Sequence, residues 1–335
     1  MSTPTIGAKA EGPIAEDAPK RRDATWFLHR VVLQLAMVWA LIALAILSNI
    51  LYPGFFEWGN IENILYQNAP IGLVAVGMTF VIIAGGFDLS VGALFAGGAV
   101  LFAKFSNDVP IELAFAGAAA AGMAAGAING LIITKLRVNA FVATLGTASL
   151  FGGAVFLYSD SAPIVSENAS FADFGNGKIL GLPTVVWVLG AGIVLGGILL
   201  ARTIYGRSVF SVGGNDEAAR LAGIRVDLIR GSTYVLTGLC AAIAGMMLAS
   251  RVGVGQADVG ADIPLDAIAI VIIGGTSLLG GEGAMWRTAV GLLLLGTINN
   301  LFFSLGWEAP AQQVVKGAIV IAAVSIDALS RRRYG

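Results

Sequence analysis

Val31 to Leu51 is an apolar run in which Gln34 is the sole strongly polar residue before Asn49. A bilayer core about 30 Å thick takes roughly 20 helical residues at 1.5 Å each, so this segment alone is long enough to cross one. Comparable runs recur at about 64–84, 88–104, 111–134, 139–158, 183–201, 231–250, 266–280, 285–305 and 311–329, about ten in all. The expected fold class is therefore all-α: a polytopic membrane helical bundle occupying one domain from 31 to 329. The run from Asp266 to Gly280 is short enough for a re-entrant or broken helix.

Composition agrees with a lipid environment. Charged residues make up 12% of the 335, about half the share usual in a soluble domain, and 57% are hydrophobic, too many to leave a water-facing surface polar. Many of the 45 glycines sit inside apolar stretches. Small residues there let helix backbones approach closely, which is how helices hold together in a membrane.

Residues 1–30 contain Pro13, Pro19 and the run Lys20-Arg21-Arg22 and little apolar material, so a disordered cytoplasmic tail is expected rather than a cleaved signal peptide. Residues 330–335 form a second short tail. The positive-inside rule orients the bundle. The N-terminal tail, the turn with Lys135 and Arg137, the loop from Arg202 to Arg230 and Arg331-Arg332-Arg333 all fall on one side of an even count, which puts both termini in the cytoplasm. The loops expected outside are acidic, with Asp258, Asp262 and Asp266 among them and Arg251 nearby. That charge is either ordinary solvation or a docking field for a partner carrying Lys or Arg.

Three strings interrupt the apolar pattern. In VIIAGGFDLSVGA, from Val81, the residues Gly85, Gly86, Asp88 and Ser90 break a hairpin at its cytoplasmic end. A carboxylate in lipid costs about 2.5–3.5 kcal/mol, so Asp88 belongs at a helix N-cap or at an inward gate. VIIGGTSLLGGEGA, from Val271, repeats the pattern with Gly274, Gly275 and Thr276 and points the same way across the membrane, so the pair does not mark an inverted repeat.

The third string, GGNDEAARLAGI, reads as a short cytoplasmic helix. Asn215 can cap it, Asp216 and Glu217 suit its first turn, and Gly223 ends it. A small apolar face with charged flanks fits either a lipid boundary or a groove in another protein. Elsewhere, Lys316 stands inside an apolar run with Gln312 one turn before it. Its stem can snorkel outward, or it lines a polar pathway together with residues such as Asn299.

No G-x-x-x-x-G-K followed by Ser or Thr occurs, so no P-loop is expected on this chain. The single cysteine, Cys240, and single histidine, His29, offer neither a metal cluster nor a nucleophile–base pair. No catalytic residue, metal site or nucleic-acid partner is expected.

GMTFVIIAGGFDLSVGA, NAFVATLGT, GRSVFSVGGNDEAARLAGI and LDAIAIVIIGGTSLLGGEGA occur in that order, and the chain from about 62 to 329 resembles the permeases of ribose-type bacterial ABC sugar importers. The resemblance implies a permease of the inner membrane that dimerises with a second copy or a paralogue. It also implies a periplasmic sugar-binding protein, for which Arg251, Asp258 and Asp262 are the candidate contacts. A separate pair of ABC ATPase subunits would hold the ATP and Mg, this chain binding no cofactor itself. By the same resemblance Gly213, Gly214, Asn215, Asp216, Glu217, Arg220 and Gly223 belong to the ATPase-coupling helix, with Glu217 at the acidic docking position. Branched-chain amino-acid permeases are related but do not look like these strings. An ion-gradient-driven transporter would need intramembrane carboxylates, and apart from Asp88 almost none are near the expected midplane.

Overall fold

A computed structural model describes residues 35–334. The expected tail over 1–30 and the start of the first span lie outside the described residues. Among these there are thirteen helices: α1 (Ala36–Leu51), α2 (Trp58–Ile83), α3 (Val91–Ser106), α4 (Ile111–Thr134), α5 (Ala140–Tyr158), α6 (Phe171–Asn176), α7 (Thr184–Arg202), α8 (Ile204–Gly214), α9 (Asp216–Leu221), α10 (Val226–Val252), α11 (Ile263–Ile273), α12 (Met285–Ser304) and α13 (Ala309–Tyr334). The strands β1 (Ile164–Val165), β2 (Lys178–Ile179), β3 (Leu182–Pro183) and β4 (Val254–Gly255) are two residues each. Helices α2, α4, α5, α7 and α10 are long and apolar enough to cross a membrane, and α1, α3 and α11 are shorter apolar helices. The chain is an all-α polytopic membrane protein.

Backbone contact between α4 and α10 forms one seam of the core. Ala114, Ala118, Gly122, Gly126 and Gly130 recur every fourth residue of α4, and all are buried. A Cβ at Gly126 would collide with the Tyr234 carbonyl, and one at Gly238 with the Gly122 carbonyl. Lipid tails are as apolar as leucine, so this close packing, rather than exclusion of water, holds the two helices together. Helix α2 runs antiparallel to α12. Thr79 and Thr288 share a hydroxyl hydrogen bond of 2.7 Å near one end, and Asn60 and Asn300 exchange carboxamide hydrogen bonds of 3.2 and 2.8 Å near the other.

The eighth run is discontinuous. After α10 the chain passes along α3 without forming a helix: Gly255 packs on Ala99, Val100 and Ala103, and Gly260, at φ +98°, packs on Gly92. From Ala103 to Gly92 is about 16 Å of helix, along which the stretch from Gly255 to Gly260 packs. Helix α11 then continues for 11 residues to Ile273, about 16 Å, which is half a bilayer. Asp258 and Asp262 are exposed on the stretch before α11 and Asp266 is partly buried, while the glycines let the backbone of that stretch pack against α3 where side chains would not fit.

At the far end of α10 the loop between α5 and α7 is packed rather than free. Ring centroids of Phe102 and Phe171 are 4.7 Å apart, and those of Phe115 and Phe174 5.3 Å. Strand β1 pairs with β4, and the Ser250 hydroxyl accepts from Gly175 N at 2.6 Å while donating to the Phe171 carbonyl.

Candidate functional site

Helices α8 and α9 meet at Asn215. Its extended backbone (φ −160°, ψ 105°) stops α8, and its side-chain oxygen accepts from Ala218 N at 2.9 Å to start α9. Asp216 and Glu217 complement the positive end of α9, and Gly223, at φ +82°, lets the chain turn away. Ala219 is buried with Val212 and Val226, which anchors one face of α9. Glu217, Ala218, Leu221 and Ala222 are left exposed, Leu221 at 86%.

Both glycine turns converge on the root of this helix pair. Gly85 and Gly275 have φ of +79° and +85°, so each ends its helix, α2 or α11, in the left-handed region. Gly281 N donates to the Ile83 carbonyl at 2.9 Å, tying one turn to the other. Gly213 lies between them: a Cβ there would run into the Ile83 carbonyl and Gly281 N, and one at Gly280 into the Gly213 carbonyl and Gly85. Thus Gly85, Gly213 and Gly280, from three distant strings, touch backbone to backbone. The C-termini of α2 and α11 reach the same end of the bundle.

Charges extend the connection. Arg230 Nη1 lies 3.5 Å from the Asp216 carboxylate, and Arg230 Nε donates to the Ala84 carbonyl at 3.4 Å. Arg220 pairs with Asp227 at 3.4 Å, and Asp227 also meets Lys135 at 3.5 Å. Arg287 Nη1 donates to the Gly275 carbonyl at 3.2 Å and faces Glu282 at 3.6 Å. A cavity of about 500 Å³ opens beside Gly85 and Gly86, walled by Arg137, Asn139, Arg220 and Arg230. Lys135, Arg137, Arg220 and Arg230 gather at this end, which the positive-inside rule assigns to the cytoplasm. Asp227, Arg287 and Glu282 were not among the expected site residues. A charge close after the second glycine string is the sequence signal by which Arg287 could have been found.

Asp88 is fully buried behind the Phe87 and Tyr234 side of this cavity and does not line it. Its carboxylate accepts from Ser90 N at 2.9 Å and Ser90 Oγ at 2.6 Å, so one oxygen stabilises the turn into α3. Asn129 donates to Ser90 Oγ at 2.7 Å and brings α4 into the same network. Gly86 packs against the Tyr234 hydroxyl, which donates to the Phe87 carbonyl at 3.3 Å. Thr276, in the second turn, is buried like Asp88.

Asn299, Gln312 and Lys316 come together far from these turns. They line a cavity of about 350 Å³ with Asn63, Gln67 and Asn68 of α2. Lys316 Nζ is 3.6 Å from the Asp266 carboxylate, and Gln313 donates to Asp262 at 3.3 Å. Asp262 thus faces α13. Arg251, at the end of α10, stacks over the Tyr66 ring at 5.1 Å. Asp258 and Asp262 are exposed on the segment that packs along α3, and Arg251 is partly buried.

Residues 60–324 match the family model described as branched-chain amino acid transport system / permease component. The ribose import permease protein RbsC of Escherichia coli K12 is 41% identical over 299 residues, covering 88% of this chain and 93% of that protein. RbsC of Bacillus subtilis 168 is 41% identical over 290 residues, covering 86% and 90%. The L-arabinose transport system permease protein AraH of E. coli K12 is 36% identical over 313 residues, covering 92% and 94%. No solved structure matches the chain.

Proposed function

We propose, from the premise that the chain belongs to this permease family, that it imports a neutral pentose with the force supplied through α9. The chain is a transmembrane permease of a sugar ABC importer and a multi-pass inner-membrane protein. Beyond that, ABC ATPase subunits seat against the exposed Glu217, Ala218, Leu221 and Ala222. They hold the ATP and Mg, while this chain supplies no group to hydrolysis. A periplasmic binding protein delivers sugar at the opposite end, two permease copies form the membrane unit, and ten crossings place both termini in the cytoplasm.

The observation that carries the coupling is the seat of Gly213 between Ile83 and Gly281. A push on α9 acts on α8, whose last turn bears on both glycine turns with no side chain between to absorb the movement. The turns end α2 and α11, so displacement at the cytoplasmic face reaches the helices that line the interior. Arg230 adds a second link from Asp216 to the Ala84 carbonyl. Such a change needs ATP to bind two arrangements of the complex with different affinity.

The deciding experiment reconstitutes the permease with the ATPase and binding protein encoded beside it and measures ATP-driven uptake of labelled D-ribose and L-arabinose into vesicles. Leu221→Asp should release the ATPase from a folded permease and abolish uptake. A wild type that purifies with no ATPase and loses uptake on addition of a protonophore would replace this reading with a gradient-driven transporter.

A further inference from the structure

The cavity between α2, α12 and α13 has the composition of a sugar site. Its walls carry Asn63, Gln67, Asn68, Asn299, Gln312 and Lys316, a cluster of polar side chains from three helices. Asn63 and Asn68 lie 5 and 10 residues into α2, and Lys316 lies 7 residues into α13, so at 1.5 Å per residue they stand about 7–15 Å inside the helix ends. Polar side chains at that depth are costly against lipid tails and belong on a partner surface or a watered passage.

The hydrogen-bonding capacity is only partly used. Asn60 and Asn300 satisfy each other, Gln67 donates to Asn63 at 3.3 Å, and Asn68 donates to the Ile64 carbonyl at 2.8 Å. Asn299 Oδ1 is enclosed and has no hydrogen-bond partner among the described residues. A carboxamide both donates and accepts, as a sugar hydroxyl does, so a ring of them can follow several hydroxyls without demanding one orientation. The Lys316 ammonium is matched by Asp266 at 3.6 Å, which leaves the cavity without net charge. Phe303, 77% exposed at its rim, offers a flat apolar face to the C–H side of a sugar ring. A volume of about 350 Å³ is at the small end for a ligand pocket, suited to one monosaccharide.

We infer that this cavity is a transient binding site on the import path for an uncharged monosaccharide, with Asn299 as its central hydrogen-bonding group. The inference rests on the importer reading and places the substrate within it. The site holds sugar weakly, since a passage that bound it tightly would not release it.

The test uses vesicles containing the complete complex and labelled D-ribose, comparing wild type with Asn299→Leu and Asn299→Thr. The expected result for Asn299→Leu is at least a tenfold loss of maximal uptake. Its KM should be unchanged, because capture precedes this site, and ATP hydrolysis stimulated by the loaded binding protein should persist. Asn299→Thr, which keeps a donor and an acceptor, should retain more than half of the uptake. Equal uptake by wild type and Asn299→Leu would overturn the site while leaving the importer reading standing. Parallel loss of uptake and hydrolysis in both variants would assign Asn299 to packing and also overturn it. A wild type without ATP-driven uptake of any neutral sugar would overturn the importer reading, and the site with it.

Discussion

Arg230 stands between the short helix α9 and the membrane helix α2, with Nη1 3.5 Å from the Asp216 carboxylate on α9 and Nε on the carbonyl that closes α2. The pair is partly exposed, Arg230 at 25% and Asp216 at 54%, so its worth to stability is small, about 0–1 kcal/mol. In the proposed coupling its role is separate, because it links α9 to the end of α2.

Arg230→Gln should therefore leave the thermal midpoint of the purified complex nearly unchanged. Sugar uptake per ATP hydrolysed should fall several-fold. Uptake and hydrolysis measured on the same vesicles give the ratio, and an unchanged ratio would remove Arg230 from the coupling route.

Gly213 and Gly214 are neighbours with opposite surroundings. A Cβ on Gly213 meets the Ile83 carbonyl, whereas nothing lies within 4 Å of a Cβ on Gly214. Gly213→Ala should destabilise the permease by about 1–3 kcal/mol through overpacking against backbone, and Gly214→Ala should be near neutral. Thermal unfolding in detergent distinguishes them.

Lys316 and Asp266 are enclosed enough to need each other. Lys316→Met and Asp266→Asn should each cost roughly 1–3 kcal/mol, since each leaves a charge without its partner. The double variant should be less destabilised than the sum of the two. Simple additivity in the cycle would show that the pair does not interact.

The orientation is open to chemistry because Cys240 is buried and is the single cysteine. In a Cys240→Ser background, Leu221→Cys should react with a membrane-impermeant maleimide in inverted vesicles and not in intact cells. The reverse pattern would turn the bundle over.

Much of the site near α9 was legible beforehand because its signals are local. Asn215 as a cap, Asp216 and Glu217 in the first turn and Gly223 as a stop all act within one turn of helix, so neighbouring letters specify them. Grouping Asn299, Gln312 and Lys316 was also possible as a list of polar residues in apolar runs. That Asn63, Gln67 and Asn68 complete their cavity was not, since helices apolar nearly all round give little sign of which face meets which neighbour.

The sequence by itself determined that this chain lives in a membrane as helices, and that a short capped helix projects from it. Run length and capping chemistry settle those points without reference to distant residues. Only the tertiary structure decided that Gly213 seats against Ile83 and Gly281, that residues 253–262 thread along α3, and that Asn60 meets Asn300 across 240 residues of chain. Packing in lipid is set by backbone approach and by the few polar groups that must find partners. Those choices depend on the whole bundle rather than on any one segment.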